Sequence, residues 1–269
     1  MLTTSQGVVI PTEVAVPVLT AIGVVPLAIG GIVYLARRTS SGRADAARWG
    51  AAACAVWIAW LVAVVALARA GILFGADAGR WVPLWVLITW AIPIVVVPAL
   101  ARRSGDLLRG LGARVPLTLL TLFETGRVVG SVFIELHHRG TLPALFAYPA
   151  GWGDVAIGVT APGAAAIVYL RHAQVHTPGT RWRRLFLAWG VAGFAEMLMA
   201  VTLGLGNYPG VLRIFHGSAD TAMFAEPPML LFPTFLVTTA TTLHVLMIQA
   251  LRRTHLPTTT PPVRDTATL

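Results

Sequence analysis

The stretch Leu122–Pro162, LFETGRVVGSVFIELHHRGTLPALFAYPAGWGDVAIGVTAP, decides the fold. Two apolar runs flank the short polar segment His137–Leu142. Each is long enough to cross a bilayer, which takes roughly 20 residues, so the stretch reads as two antiparallel transmembrane helices joined by a tight turn. Yet Glu124, Arg127, Glu135 and Asp154 lie within or beside those runs. Ionisable groups at membrane depth are costly unless paired or wetted, and by default they mark a functional site.

Working outward, the rest of the chain has the same character. Of 269 residues 56% are hydrophobic and only 12% charged, about half the charge of a soluble domain. The expected fold class is all-α: an integral membrane bundle of seven transmembrane helices, at about 13–36, 49–69, 81–101, 115–136, 145–171, 184–205 and 228–251. Pro93 and Pro98 should kink or end the third helix, and Pro233 the seventh. No hydrophilic stretch is long enough for a second core, so residues 1–253 form one domain. The Thr- and Pro-rich tail, 254–269, reads as disordered and cytoplasmic.

All twenty basic residues are arginines, and the formal net charge is +9. They sit in short loops between apolar runs, which argues against nucleic acid as a partner. Fifteen loop arginines fall on one side; only Arg69, Arg80, Arg139 and Arg213 fall on the other. By the positive-inside rule the rich side is cytoplasmic. The amino terminus is then outside, the carboxyl terminus inside, and the expected location is the bacterial inner (plasma) membrane, multi-pass. Trp49, Trp81, Trp85, Trp152 and Trp182 lie near span ends, as interfacial aromatics do. The amino terminus lacks the basic region of a signal peptide.

Nearly all intramembrane polarity is in helices four to seven, so helices one to three read as scaffold. On helix four, Glu124, Arg127, Ser131 and Glu135 share one α-helical face. They form either a self-neutralised pair that fixes packing or the polar wall of a cavity open to the outside. On helix five, Asp154 follows Pro149-Ala150-Gly151-Trp152-Gly153, a candidate helix break. It is either a cap for the helix start or the partner of Arg127. Glu196, mid-way along helix six, has no basic neighbour in sequence and needs a partner from another helix. On helix seven, Thr234, Thr238 and Thr241 lead to His244. These hydroxyls either face a ligand or bond back to their own helix.

Single Cys54 excludes an internal disulfide and any Cys-based metal site. His137 and His138 diverge on a helix and lack any metal-binding spacing, so no metal is expected, and no cofactor. A retinal Schiff base is excluded because the chain has no lysine.

The segment Phe146–Asp154 with Gly158 and Ala161-Pro162, the segment Pro228 to His244 with Pro233-Thr-Phe-Leu-Val237, and Arg127 together resemble a widespread group of uncharacterised bacterial polytopic membrane proteins. The resemblance runs from helix four onward. It implies Arg127, Asp154 and His244 as marked positions, with an acid at Glu196, and implies no reaction.

The leading functional expectation is a membrane-embedded enzyme or binding protein for a small apolar or lipid-like molecule, isoprenoids included. In this reading Glu124, Asp154 and Glu196 are catalytic. Arg127, Ser131, Glu135, Thr238, Thr241 and His244 bind substrate, with Arg127 holding an anionic group. Its partners are the lipid bilayer and that ligand. A proton-coupled transporter of a small solute or ion is the second reading. A non-catalytic sensor or assembly factor is the third.

Overall fold

The computed structural model describes residues 2–3, 9–70 and 82–253. Seven of its helices are long and apolar enough to cross a membrane. The first three spans are α1 (Thr12–Arg38), α2 (Arg43–Arg69) and α3 (Val82–Arg103). The fourth has three parts: α5 (Arg114–Phe123), a 3-10 segment (Glu124–Gly130) and α6 (Ser131–His138). α7 (Ala144–Leu170) and α9 (Arg181–Asn207) are the fifth and sixth. The seventh begins with a π-turn, Phe232–Leu236, and continues as α10 (Val237–Arg253). Short helices α4 (Gly105–Leu111) and α8 (His172–His176) lie in arginine-rich loops. A two-residue antiparallel pairing joins Leu2–Thr3 to Val9–Ile10. The expectations for Trp81 and for the tail from residue 254 lie outside the described residues.

The seventh span is the centre of the bundle and α2 its periphery. In their most apolar windows 78% of the seventh span is buried against 11% of α2. α2 is held by close backbone approach to α1: a Cβ on Gly30 would lie 2.9 Å from the Gly50 carbonyl oxygen, and one on Gly50 2.8 Å from that of Gly30. Trp57 and Trp60 of α2 anchor to the seventh span. Trp57 Nε1 donates to Thr239 Oγ1 at 2.8 Å and Trp60 Nε1 to the Thr234 carbonyl at 3.1 Å. Towards the arginine-poor end, Phe133, Phe146, Phe224 and Phe232 form one aromatic cluster, with neighbouring ring centroids 4.7–6.3 Å apart. Leu108, Leu117, Leu120 and Leu251 fill the arginine-rich end.

Several boundaries differ from expectation. α2 starts at Arg43, so Trp49 lies inside the helix, under the Arg37 guanidinium at 5.0 Å. α3 continues through Pro93 and Pro98. α7 likewise continues through Pro149 and Pro162, so the expected break before Asp154 is absent. The seventh span starts at Phe232 rather than Pro228, after a 3-10 turn at Ala222–Ala225. The irregularity expected of Pro233 takes the form of the π-turn, in which the Val237 N–H reaches back to the Phe232 carbonyl. Pro233 has no N–H of its own, and its carbonyl accepts the Thr238 hydroxyl at 3.1 Å.

Candidate functional site: an ion cluster between two cavities

The sequence of the fourth span predicts one continuous α-helix. Instead the span tightens to 3-10 geometry over Glu124–Gly130. Gly126 and Gly130 are poor helix formers, and Thr125, Val128 and Val129 are β-branched. A 3-10 turn advances about 120° per residue rather than 100°, so six steps shift the helix face by roughly 120°. The expected single polar stripe is therefore split. Glu124 and Arg127 turn into the bundle, with side chains 0% and 7% exposed. Ser131 is exposed and Glu135 half-exposed, both on the lipid-side groove with α1.

Arg127 is the hub. Its Nε donates to Asp154 Oδ1 at 2.7 Å, its Nη1 donates to the Gly193 carbonyl at 3.2 Å, and its Nη2 is paired with Glu196 Oε2. Glu124 Oε2 lies 3.9 Å from Nη1. One guanidinium thus draws in acids from the fourth, fifth and sixth spans. Asp154 sits in mid-helix, so it is the partner of Arg127 and not a helix cap; α7 has Pro143 at its N-cap with no side-chain bond. Burial of so many ions is tolerated because each carboxylate has the guanidinium or an imidazole within reach.

The seventh span contributes His244. Its Nδ1 lies 3.0 Å from the Ala240 carbonyl and 3.3 Å from Glu124 Oε1. A carbonyl only accepts, so Nδ1 carries a hydrogen. Nε2 is buried without a hydrogen-bond partner, and the ring stacks on Trp189 at 6.0 Å between centroids. Both oxygens of Glu124 are likewise buried without a hydrogen bond. With three carboxylates, one guanidinium and one imidazole, the cluster is negative even when His244 is charged, unless a carboxylate holds a proton.

Glycines make room for this assembly. A Cβ on Gly193 would lie 2.8 Å from His244 Nε2, and one on Gly153 or Gly130 would run into Glu196 or Asp154 respectively. Gly158 lets α7 approach the 3-10 backbone, where a Cβ would be 2.8 Å from Val128 N. Of these four, the sequence marks Gly158 and, only as part of the expected break before Asp154, Gly153; Gly130 and Gly193 go unmarked. Gly193 lies three residues before Glu196 and Gly130 three after Arg127, and a glycine one helical turn from an intramembrane charge is the signal for both.

Two cavities flank the cluster. One of about 270 Å³ meets Glu124, Arg127 and Asp154 and is otherwise apolar, with walls from Ala21 and Val25 of α1, Phe123 and Phe232. α1, expected to be scaffold, is thus part of the site. The second, about 70 Å³, meets Asp154 and Glu196 and extends to Tyr208 and Thr221 at the arginine-poor end. Burial pushes the Tyr208 phenol up to about 12, with the nearby Asp220 carboxylate adding to the shift, so it faces that cavity as a neutral hydroxyl. Asp154, Met197, Phe232 and Val237 line both.

Thr238 and Thr241, expected to bind substrate, line neither cavity. Their hydroxyls bond back to the Pro233 and Val237 carbonyls, and Thr241 also accepts from Trp90 Nε1 at 3.3 Å. They hold the helix and its neighbours together, because a hydroxyl in lipid takes the nearest free carbonyl. His137 Nδ1 meets the Leu142 carbonyl at 2.8 Å, and its ring packs on Tyr148. Among the described residues no three His, Cys, Asp or Glu side chains are grouped to hold a metal ion.

The fold and cluster define a multi-pass membrane protein with an ion network at its centre, contributed by its last four spans. Residues 101–252 match the family described as Domain of unknown function (DUF8737), and the chain belongs to that family. The match takes in all four cluster-bearing spans and leaves out α1, α2 and nearly all of α3. Searches of curated proteins and of solved structures gave no match.

Proposed function

We propose that the protein is a membrane-embedded binding protein or enzyme for a small apolar, lipid-like molecule, with Glu124 as its proton-exchanging group. One observation carries this reading: both Glu124 oxygens are buried without a hydrogen bond, and the side chain lies on the wall of an apolar cavity of about 270 Å³. A carboxylate at a dry, apolar wall is the setting in which acid–base work at neutral pH becomes feasible. Asp154 and Glu196 act through Arg127, fixing its guanidinium beside Glu124. Arg127 is held by these acids in this reading and does not bind an anionic ligand. In this reading the arginine-rich side faces the cytoplasm.

The test is infrared difference spectroscopy of the purified protein in liposomes across a pH titration. A protonated-carboxyl band that titrates in the wild type and is missing in Glu124→Gln is the expected result. An unchanged band in that variant would remove Glu124 from the role.

Proton-coupled transport is the second reading, favoured by the position of His244. It contacts Glu124 on one side and lines a small void with Trp189 and Met247 on the side of the arginine-rich end. That places an imidazole where a relay would need one. Flux driven by a pH gradient in proteoliposomes, abolished by His244→Phe, would favour transport over conversion or binding.

A further inference from the structure

The cavity beside Glu124 shares part of its wall with a larger crevice on the flank of the bundle. Ala21 of α1 and Gly126 and Val129 of the fourth span line both. That crevice has a volume of about 670 Å³ and runs between α1 and the fourth span, past Pro17 and Thr20 to Glu13 and Glu135 at the arginine-poor end. From Glu13 to Ala21 α1 advances about 12 Å. Its sides carry Val16 and Val128, 54% and 39% exposed, where the surrounding medium is hydrocarbon. A Cβ on Gly126 would meet nothing within 4 Å, so the space beside this shared wall residue is open.

The rim is bridged by one residue. Arg139 donates to Glu135 and, across the crevice, to Glu13 of α1, both at 2.7 Å. The Glu135 hydrogen bond is the main influence that raises the Arg139 pKa. This bridge ties the ends of α1 and the fourth span while the walls below it stay apart.

We propose that the crevice between α1 and the fourth span is the lateral entrance to the ion cluster, and that it admits a single-chain amphiphile whose polar end is a hydrogen-bond donor. The proposal rests on the binding or catalytic reading above and narrows its ligand. The chain follows from the medium: a crevice open to lipid and walled by Val, Pro and Ala takes a hydrocarbon. The donor follows from the cluster. Its guanidinium is already shared among Asp154, Glu196 and Glu124, whereas Glu124 has two buried acceptor oxygens without a hydrogen bond. A carboxylate or phosphate head would meet an excess of negative charge; a hydroxyl or an ammonium would meet acceptors.

The experiment uses the full chain in phosphatidylcholine liposomes and three photoreactive probes of one chain length, ending in an alcohol, an amine or a carboxylate. The alcohol, the amine or both are expected to label peptides from α1 and the fourth span at least tenfold more than the carboxylate. Labelling by one but not the other identifies the head group. Gly126→Leu should cut labelling at least tenfold while leaving the melting temperature unchanged. Ala21→Leu fills the gap from the other wall and should do the same; Gly163→Leu, on the exposed side of α7, should change nothing. Equal labelling by the carboxylate, or none by any probe, overturns the proposal. Labelling lost in Glu124→Gln but intact in both gap-filling variants overturns the entrance alone. Labelling indifferent to all three variants overturns the cluster reading as well.

Discussion

Arg127 shows how much one side chain can organise. Its planar fork reaches Asp154, Glu196, the Gly193 carbonyl and, more distantly, Glu124. Replacing it by Met strands three acids in the bundle. Removing one partner of a buried ion pair costs about 3–5 kcal/mol. Arg127→Met should therefore lower the thermal midpoint in detergent sharply, or abolish folded protein. Arg127→Lys should fall between, because an ammonium is a point charge without the fork. A wild-type midpoint in Arg127→Met would mean that the acids are not ionised partners. At Trp57 the stakes are smaller. Thr239→Val removes the acceptor of a buried indole N–H and should cost about 1–3 kcal/mol. Chemical denaturation of the variant checks this, and no change would show that the indole finds another acceptor. Arg127, Asp154, Glu196 and His244 were all legible in the sequence as polar groups in apolar runs. The commitment of Arg127 to its acids was not, since it depends on distances between spans.

At the scale of the element, the 3-10 segment and the glycines of α7 and α9 decide the site. An α-helical fourth span would carry Ser131 and Glu135 on the same face as Arg127; the tighter winding sends them to the α1 groove instead. Gly193→Ala should destabilise by about 1–3 kcal/mol, because its Cβ would press on His244 Nε2 at 2.8 Å. Gly163→Ala, with open space around it, should be neutral or slightly stabilising, as Ala exceeds Gly in helix propensity by about 1 kcal/mol. Paired thermal melts test the contrast; equal effects would show that helix propensity and not packing governs both. The unbroken α7 is the other lesson at this scale. Pro149 and Pro162 each remove an intrahelical hydrogen bond without ending the helix, because in a membrane bundle the neighbouring spans and local adjustments accommodate the freed carbonyls.

For the whole molecule, the seven spans alternate between an arginine-rich and an arginine-poor end, and the predicted orientation puts the rich end in the cytoplasm. With Cys54 replaced by Ala, single cysteines at Ser41 and Thr141 should differ in labelling by an impermeant maleimide on intact cells: reactive at 141, protected at 41. The reverse pattern would invert the orientation and place the proposed entrance in the other leaflet. Hydropathy alone was enough to determine seven spans, because lipid requires long, internally hydrogen-bonded apolar helices, and that requirement is written residue by residue along the chain. Only the tertiary structure decided that α1 walls the cavity, that the threonine hydroxyls serve the seventh span and its neighbours, and that three acids share one arginine. Those outcomes depend on the rotation and approach of helices distant in sequence, set by a 3-10 turn and a few glycines whose effect appears only when a second helix packs against them.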